Sequence, residues 1–209
     1  MAKLYFRFFL RTAFSITVLV WGASCVSPDT RHHVVISVPE QRLALLDEGK
    51  LIATFPVSTS KFALSDVPGS RGTPLGEMEI ADKIGGGAPL GAVFKSRRRT
   101  GEILAPDAPG RDPIVTRILW LKGRERQNAN AHGRLIYIHG TAEERNVGRP
   151  ASYGCIRMRS RDVVQLYEVV GQGARVSILN APLAAMVPAL APAAEVAVAA
   201  QPGDDNAAR

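Results

Sequence analysis

Hydrophobic and polar positions alternate with a short period through most of this chain. The run His33–Val38 is rich in valine and isoleucine and is closed by Pro39, as a strand would be. Leu43–Leu46 and Leu51–Val57 flank the turn-like Asp47-Glu48-Gly49-Lys50 and predict a hairpin. From Ser58 to Gly76 the residues are those of loops, followed by a short strand around Met78–Ala81. Lys83–Pro113 reads as a long irregular region, of a length that is more often functional or covering than idle, and is expected to fold over a cleft. Ile114–Leu121 is again strand-like, and Leu135–His139 is an apolar run that places His139 at a strand end. The period changes to a helical one only at Ser160. Ser160 stands at the cap, Asp162 in the first turn, Val163, Leu166, Tyr167 and Val170 on one face, and Gly171 at the stop. Arg175–Leu179 is a final strand. Many strands and one good helix predict a mainly β, mixed-sheet sandwich with a few helical segments.

The ends do not follow this pattern. Lys3, Arg7 and Arg11 precede an uncharged stretch from Thr12 to Trp21, and the small residues Gly22, Ala23 and Ser24 lead to Cys25. This is the order of a secretory signal over residues 1–24. Residues 25–31 are a linker, with Cys25 resembling the lipidated cysteine of a bacterial lipoprotein, although Gly22 stands where an aliphatic residue is usual. The folded domain is expected over residues 32–180, and the Ala/Pro-rich segment 181–209 as a flexible tail. Export to the periplasm or cell envelope follows from the leader.

Composition adds limits. A chain of 209 residues with 46% hydrophobic and 22% charged content buries one substantial core. The formal charge of +7 owes three of its cations to the leader, so the remainder is only mildly basic. No aromatic residues interleave with Arg97-Arg98-Arg99, which reads as a solvated face, and no nucleic-acid partner is expected. Gly85-Gly86-Gly87 lacks the setting of a phosphate loop. Four histidines without paired spacing make no metal site, and no cofactor is expected.

With Cys25 at the leader junction, Cys155 is the one thiol of the globular region. A thiol becomes a nucleophile when a base removes its proton or its thiolate is stabilised. The loop between His139 and Cys155 contains Gly and Pro and lets the two meet; His132 is a second candidate base in a polar loop. Gly154 permits an unusual turn, and amides near Gly154 and Cys155 are candidate oxyanion donors. Ser152 either fixes this loop through its hydroxyl or is an ordinary turn serine. Arg157 either pairs with a substrate carboxylate or forms a structural ion pair.

The strings Ile138-His139-Gly140-Thr141, Gly148-Arg149-Pro150, Ser152-Tyr153-Gly154-Cys155-Ile156-Arg157-Met158, Asp162-Val163 and Leu166-Tyr167 resemble the L,D-transpeptidase catalytic domain of the ErfK and YkuD type. Glu40-Gln41-Arg42-Leu43, Phe55–Ser60 and Thr73-Pro74-Leu75-Gly76 extend the likeness over roughly His33–Leu179. The resemblance implies a mixed-sheet β-sandwich, Cys155 as acylated nucleophile and His139 as proton acceptor and donor. It also implies peptidoglycan stem peptides as partners, with Ser152, Tyr153, Arg157, Gly140 and Thr141 toward substrate. The acceptor (a second stem, a wall-attached protein or water) is left open, and an inactive wall-binding lipoprotein of the same fold is the alternative of another class. The family usually has histidine where Tyr153 stands.

Overall fold

The computed structural model describes residues 27–191; the leader, Cys25 and the tail from residue 192 onward lie outside the described residues. Ten strands form one mixed sheet: β1 (His32–Ser37), β2 (Arg42–Asp47), β3 (Lys50–Pro56), β4 (Gly76–Ile84), β5 (Ala92–Lys95), β6 (Arg98–Ile103), β7 (Ile114–Gly123), β8 (Tyr137–Thr141), β9 (Ile156–Met158) and β10 (Arg175–Leu179). The order is β3-β2-β1-β10-β4-β7-β5-β6, and β8 and β9 branch from β7. The β1–β10 and β8–β9 pairs are parallel; the others are antiparallel.

The sheet folds onto itself to make the predicted sandwich. Ile138, Ile156 and Met158 of the β8–β9 branch share a buried cluster with Ile36, Leu43 and Leu45 of the opposite end. The single α-helix among the described residues, α1 (Ser160–Val169), closes this core with Val163, Leu166 and Tyr167. Its C-terminal carbonyls are met by a cation: Lys83 Nζ donates to the Tyr167 carbonyl at 2.7 Å and also to that of Val170. At the other end the residue in the cap position is Arg159, not Ser160. Ser160 is already helical, and its N–H donates to Glu144 Oε1 at 2.8 Å, so a long-range carboxylate replaces the expected local cap.

Three further expectations are corrected. Lys83–Pro113 is not irregular, because β5 and β6 form a hairpin within it, joined through Ser96 and Arg97 at φ 49° and 64°. His139 lies in mid-strand, since Gly140 and Thr141 continue β8 by pairing with Val115 and Ile114. The segment from Ala181 to Ala191, expected as flexible tail, packs Leu183 and Val187 against Val35, Ala44 and Leu46. The linker is also tied down at Asp29, which accepts the Gly171 N–H at 2.6 Å.

Candidate active site

Strands β8 and β9 run in parallel with His139 in register with Arg157 and Ile138 with Ile156. Alternation then puts Tyr137, His139 and Arg157 on the face opposite the main core, with Cys155, which directly precedes β9, on that same face at the level of Tyr137. Neighbouring strands lie about 4.8 Å apart and residues two apart are separated by roughly 6.6 Å, so His139 and Cys155 are diagonal neighbours across the β8–β9 pair. Opposite His139, β7 bulges at Thr116 (φ 72°).

His139 is buried, and its Nδ1 lies 2.8 Å from the Gly140 carbonyl oxygen. A carbonyl only accepts, so Nδ1 carries the proton and Nε2 keeps its lone pair. Burial pushes the imidazole down to about 4, with Arg157 adding to the effect and the Gly140 carbonyl and Asp112 opposing it. Burial likewise pushes the Cys155 thiol up, against the Tyr137 N–H, Arg157 and Arg134, which favour the thiolate. The imidazole and the thiol therefore both rest neutral, and the Cys155 Sγ donates to the Leu135 carbonyl at 3.4 Å. Gly140 is itself a condition of this arrangement, because a Cβ there would meet the Val115 carbonyl oxygen at 2.6 Å.

The loop carrying Cys155 is stitched from below. Ser152, fully buried, donates from Oγ to the Cys155 carbonyl at 2.5 Å and accepts the Gly154 N–H at 3.2 Å. Its hydroxyl thus fixes the loop. The Gly154 N–H, expected to face an oxyanion, is engaged in that closure. Gly154 has φ +124°, and a Cβ on it would lie 3.0 Å from the Gly72 carbonyl oxygen. Thr73 Oγ1 donates to the Gly154 carbonyl at 2.9 Å and accepts the Ser60 N–H at 2.9 Å, which ties the Cys155 loop to the Ser58–Ser60 segment.

Arg157 forms the structural ion pair of its two expected roles. Its Nη1 lies 2.8 Å from Asp112 Oδ2 and 3.8 Å from Glu143, with side chains 11% and 12% exposed at the closer pair. Asp112 Oδ1 accepts from Thr141 Oγ1 at 2.6 Å. Thr141 is consequently buried against Asp112, and Gly140 is buried beside it, so neither is open to substrate as expected. Beside this pair opens a cleft of about 700 Å³ lined by Lys61, Asp112, Glu143, Arg149, Tyr153 and Arg157.

The hairpin covers the Cys155 side. Phe94 packs in one cluster with Tyr137 and Cys155, and the Arg97 guanidinium sits 4.6 Å from the Trp120 ring centroid. Arg97 is therefore not part of a solvated face, whereas Arg98 and Arg99 are exposed. His132 stacks on Trp120 at 4.0 Å, away from the pairing that positions His139.

The family model for the L,D-transpeptidase catalytic domain, YkuD, matches residues 31–178. The chain belongs to the L,D-transpeptidase family. It is 29% identical over 176 residues to a putative L,D-transpeptidase, YqjB, of Bacillus subtilis, covering 83% of this chain and 86% of the relative. It is 28% identical over 176 residues to the probable L,D-transpeptidase YbiS of Escherichia coli, covering 81% of this chain and 52% of the relative. Among solved structures, an L,D-transpeptidase from Mycobacterium smegmatis superposes with a TM-score of 0.47 at 14% identity, covering 71% of this chain and 58% of that one.

In this L,D-transpeptidase Tyr153 does not reach toward His139. It is 53% exposed, its hydroxyl lies 3.4 Å from Lys61 Nζ, and its ring is tilted against Phe62 at 5.3 Å. Sequence reasoning missed Asp112, Glu143, Tyr137 and the roles of Thr73 and Ser60. Of these, Ser60 and Thr73 lay within strings that carried a family signal. Among the described residues no three side chains of metal-ligating type converge, and no helix is long and apolar enough to cross a membrane.

Proposed function

We propose that this protein is a cysteine-dependent peptidoglycan L,D-transpeptidase that acylates Cys155 with a stem tetrapeptide. The observation that carries this reading is the His139 Nδ1–Gly140 carbonyl bond, which leaves Nε2 as a proton acceptor on the face that holds Cys155. His139 Nε2 takes the thiol proton as sulfur attacks the carbonyl between the third residue of the stem and its terminal D-alanine. The tetrahedral oxyanion develops beside the Cys155 amide. His139 then returns the proton to the departing amine, so D-alanine leaves and a thioester remains. An acceptor amine attacks the thioester, gives its proton to His139, and the thiol is regenerated. The reaction as written uses no metal or organic cofactor. The leader at residues 1–24 supports action in the cell envelope, with Cys25 as a candidate lipid anchor.

The test is product analysis by mass spectrometry after incubation with a disaccharide-tetrapeptide, beside Cys155→Ala. A dimer formed with loss of D-alanine is expected. A monomeric tripeptide would instead make water the acceptor, and no product at all would leave an inactive wall-binding protein.

A further inference from the structure

Lys61 and Arg71 both stand against the same two aromatic rings. Lys61 Nζ stands 4.7 Å from the Tyr153 ring centroid and 5.4 Å from that of Phe62. The Arg71 guanidinium stands 5.7 Å and 5.6 Å from the same two rings. Among the described residues neither cation has an ion-pair partner. The nearby acids are already engaged: Asp66 by Arg134 at 3.1 Å, Asp112 by Arg157 at 2.8 Å, and Glu143 by Asn146 Nδ2 at 2.7 Å.

The platform is rigidly mounted. Arg134 donates to the Ser65 and Gly72 carbonyls at 2.8 Å each, clamping both ends of the loop that presents Arg71, while the Lys61 N–H donates to the Ser152 carbonyl at 3.1 Å and the Phe62 N–H to Ser60 Oγ at 3.0 Å. Tyr153, two residues before Cys155, lines both the cleft, together with Lys61, and a smaller hollow, together with Arg71. Two like charges held over one aromatic pair are electrostatically unfavourable until an anion joins them, and the tyrosine hydroxyl adds a donor to the same place.

We propose that Lys61, Arg71 and the Tyr153 hydroxyl form a carboxylate subsite around the Tyr153 ring, where the cleft beside Arg157 meets the smaller hollow, holding a carboxylate of the peptide substrate. This rests on the reading of the site as a stem-peptide acyltransferase. It also gives the tyrosine at this position a function that histidine chemistry would not supply. The carboxylate has two sources, the free C-terminus of the stem and a side-chain carboxylate of its third residue.

The experiment is a calorimetric titration of the Cys155→Ala protein, which binds without turnover. The probes are a disaccharide-tetrapeptide with both carboxylates free, with the C-terminus amidated, and with the third-residue carboxylate amidated. Binding of the free acid is expected to weaken about tenfold or more on one of the amidations, which names the source, and by a similar factor in K61A/R71A. Lys61→Gln, at an exposed site, gives a smaller loss and guards against misfolding of the double variant. Equal binding of all three peptides, or unchanged binding by K61A/R71A, overturns the subsite. So does loss of sedimentation with phosphatidylglycerol vesicles in K61A/R71A at unchanged peptide affinity, which assigns the patch to a lipid surface. Carboxylate-dependent binding without any thioester on the unsubstituted protein sinks the acyltransferase reading and leaves the subsite standing. Thioester formation with cation-independent binding does the reverse.

Discussion

His139 donates its Nδ1 proton to the carbonyl of Gly140, the residue that follows it, and this bond decides which ring nitrogen keeps a free lone pair. Because Gly140 admits the close approach of the Val115 carbonyl, the tautomer of His139 depends on a backbone contact across β7 and β8. His139→Ala removes the acceptor, and the rate of Cys155 acylation should fall by about 10²–10⁴-fold with the far-ultraviolet circular dichroism unchanged. Retained acylation would move the base elsewhere, with His132 the first alternative.

The buried imidazole also makes stability depend on pH in a definite direction. Its folded value of about 4 lies below the unfolded 6.5, so the unfolded chain binds the proton more readily. The contribution is fully present above pH 6.5 and is lost as pH falls toward 4, by roughly 3 kcal/mol in all. Urea midpoints measured from pH 7.5 to 4 should fall more steeply for the unsubstituted protein than for His139→Gln.

Ser152→Ala leaves the Cys155 carbonyl and the Gly154 N–H without their partner in a fully buried place. The expected loss is about 1–3 kcal/mol of stability. The acylation rate should fall with it while peptide affinity is kept. Chemical denaturation and single-turnover kinetics read the two effects separately.

Breaking one side of the buried Arg157–Asp112 pair is expected to cost about 3–5 kcal/mol, because it strands the other charge. Arg157→Met combined with Asp112→Leu should cost less than the sum of the single changes. A double-mutant cycle on unfolding free energies gives the coupling, and strict additivity would contradict the pairing.

Much of the frame was legible in local pattern. The β2–β3 hairpin, β7, α1 and β10 each carry their own periodicity or turn residues. The proposal of Cys155 and His139 as a pair came from the motif strings around them. What escaped depends on partners distant in sequence. β9 has three residues and exists because β8 and the Ser58 bridge receive it. β6 is exposed throughout, so no alternation marks it. The Ala- and Pro-rich composition after Ala181 hid Leu183 and Val187, four residues apart, which reach the sheet together. Asp112 sits in a Pro- and Gly-containing loop, and only its ion pair with Arg157 reveals it.

The central claim is that Cys155 becomes covalently acylated with His139 as its base. Rapid-quench intact-protein mass spectrometry during reaction with a disaccharide-tetrapeptide tests it most directly. The expected adduct has the mass of the peptide less D-alanine, maps to Cys155, is released by hydroxylamine, and is absent from Cys155→Ala. An adduct that persists in Cys155→Ala, or dimer formation by that variant at the unsubstituted rate, would contradict it.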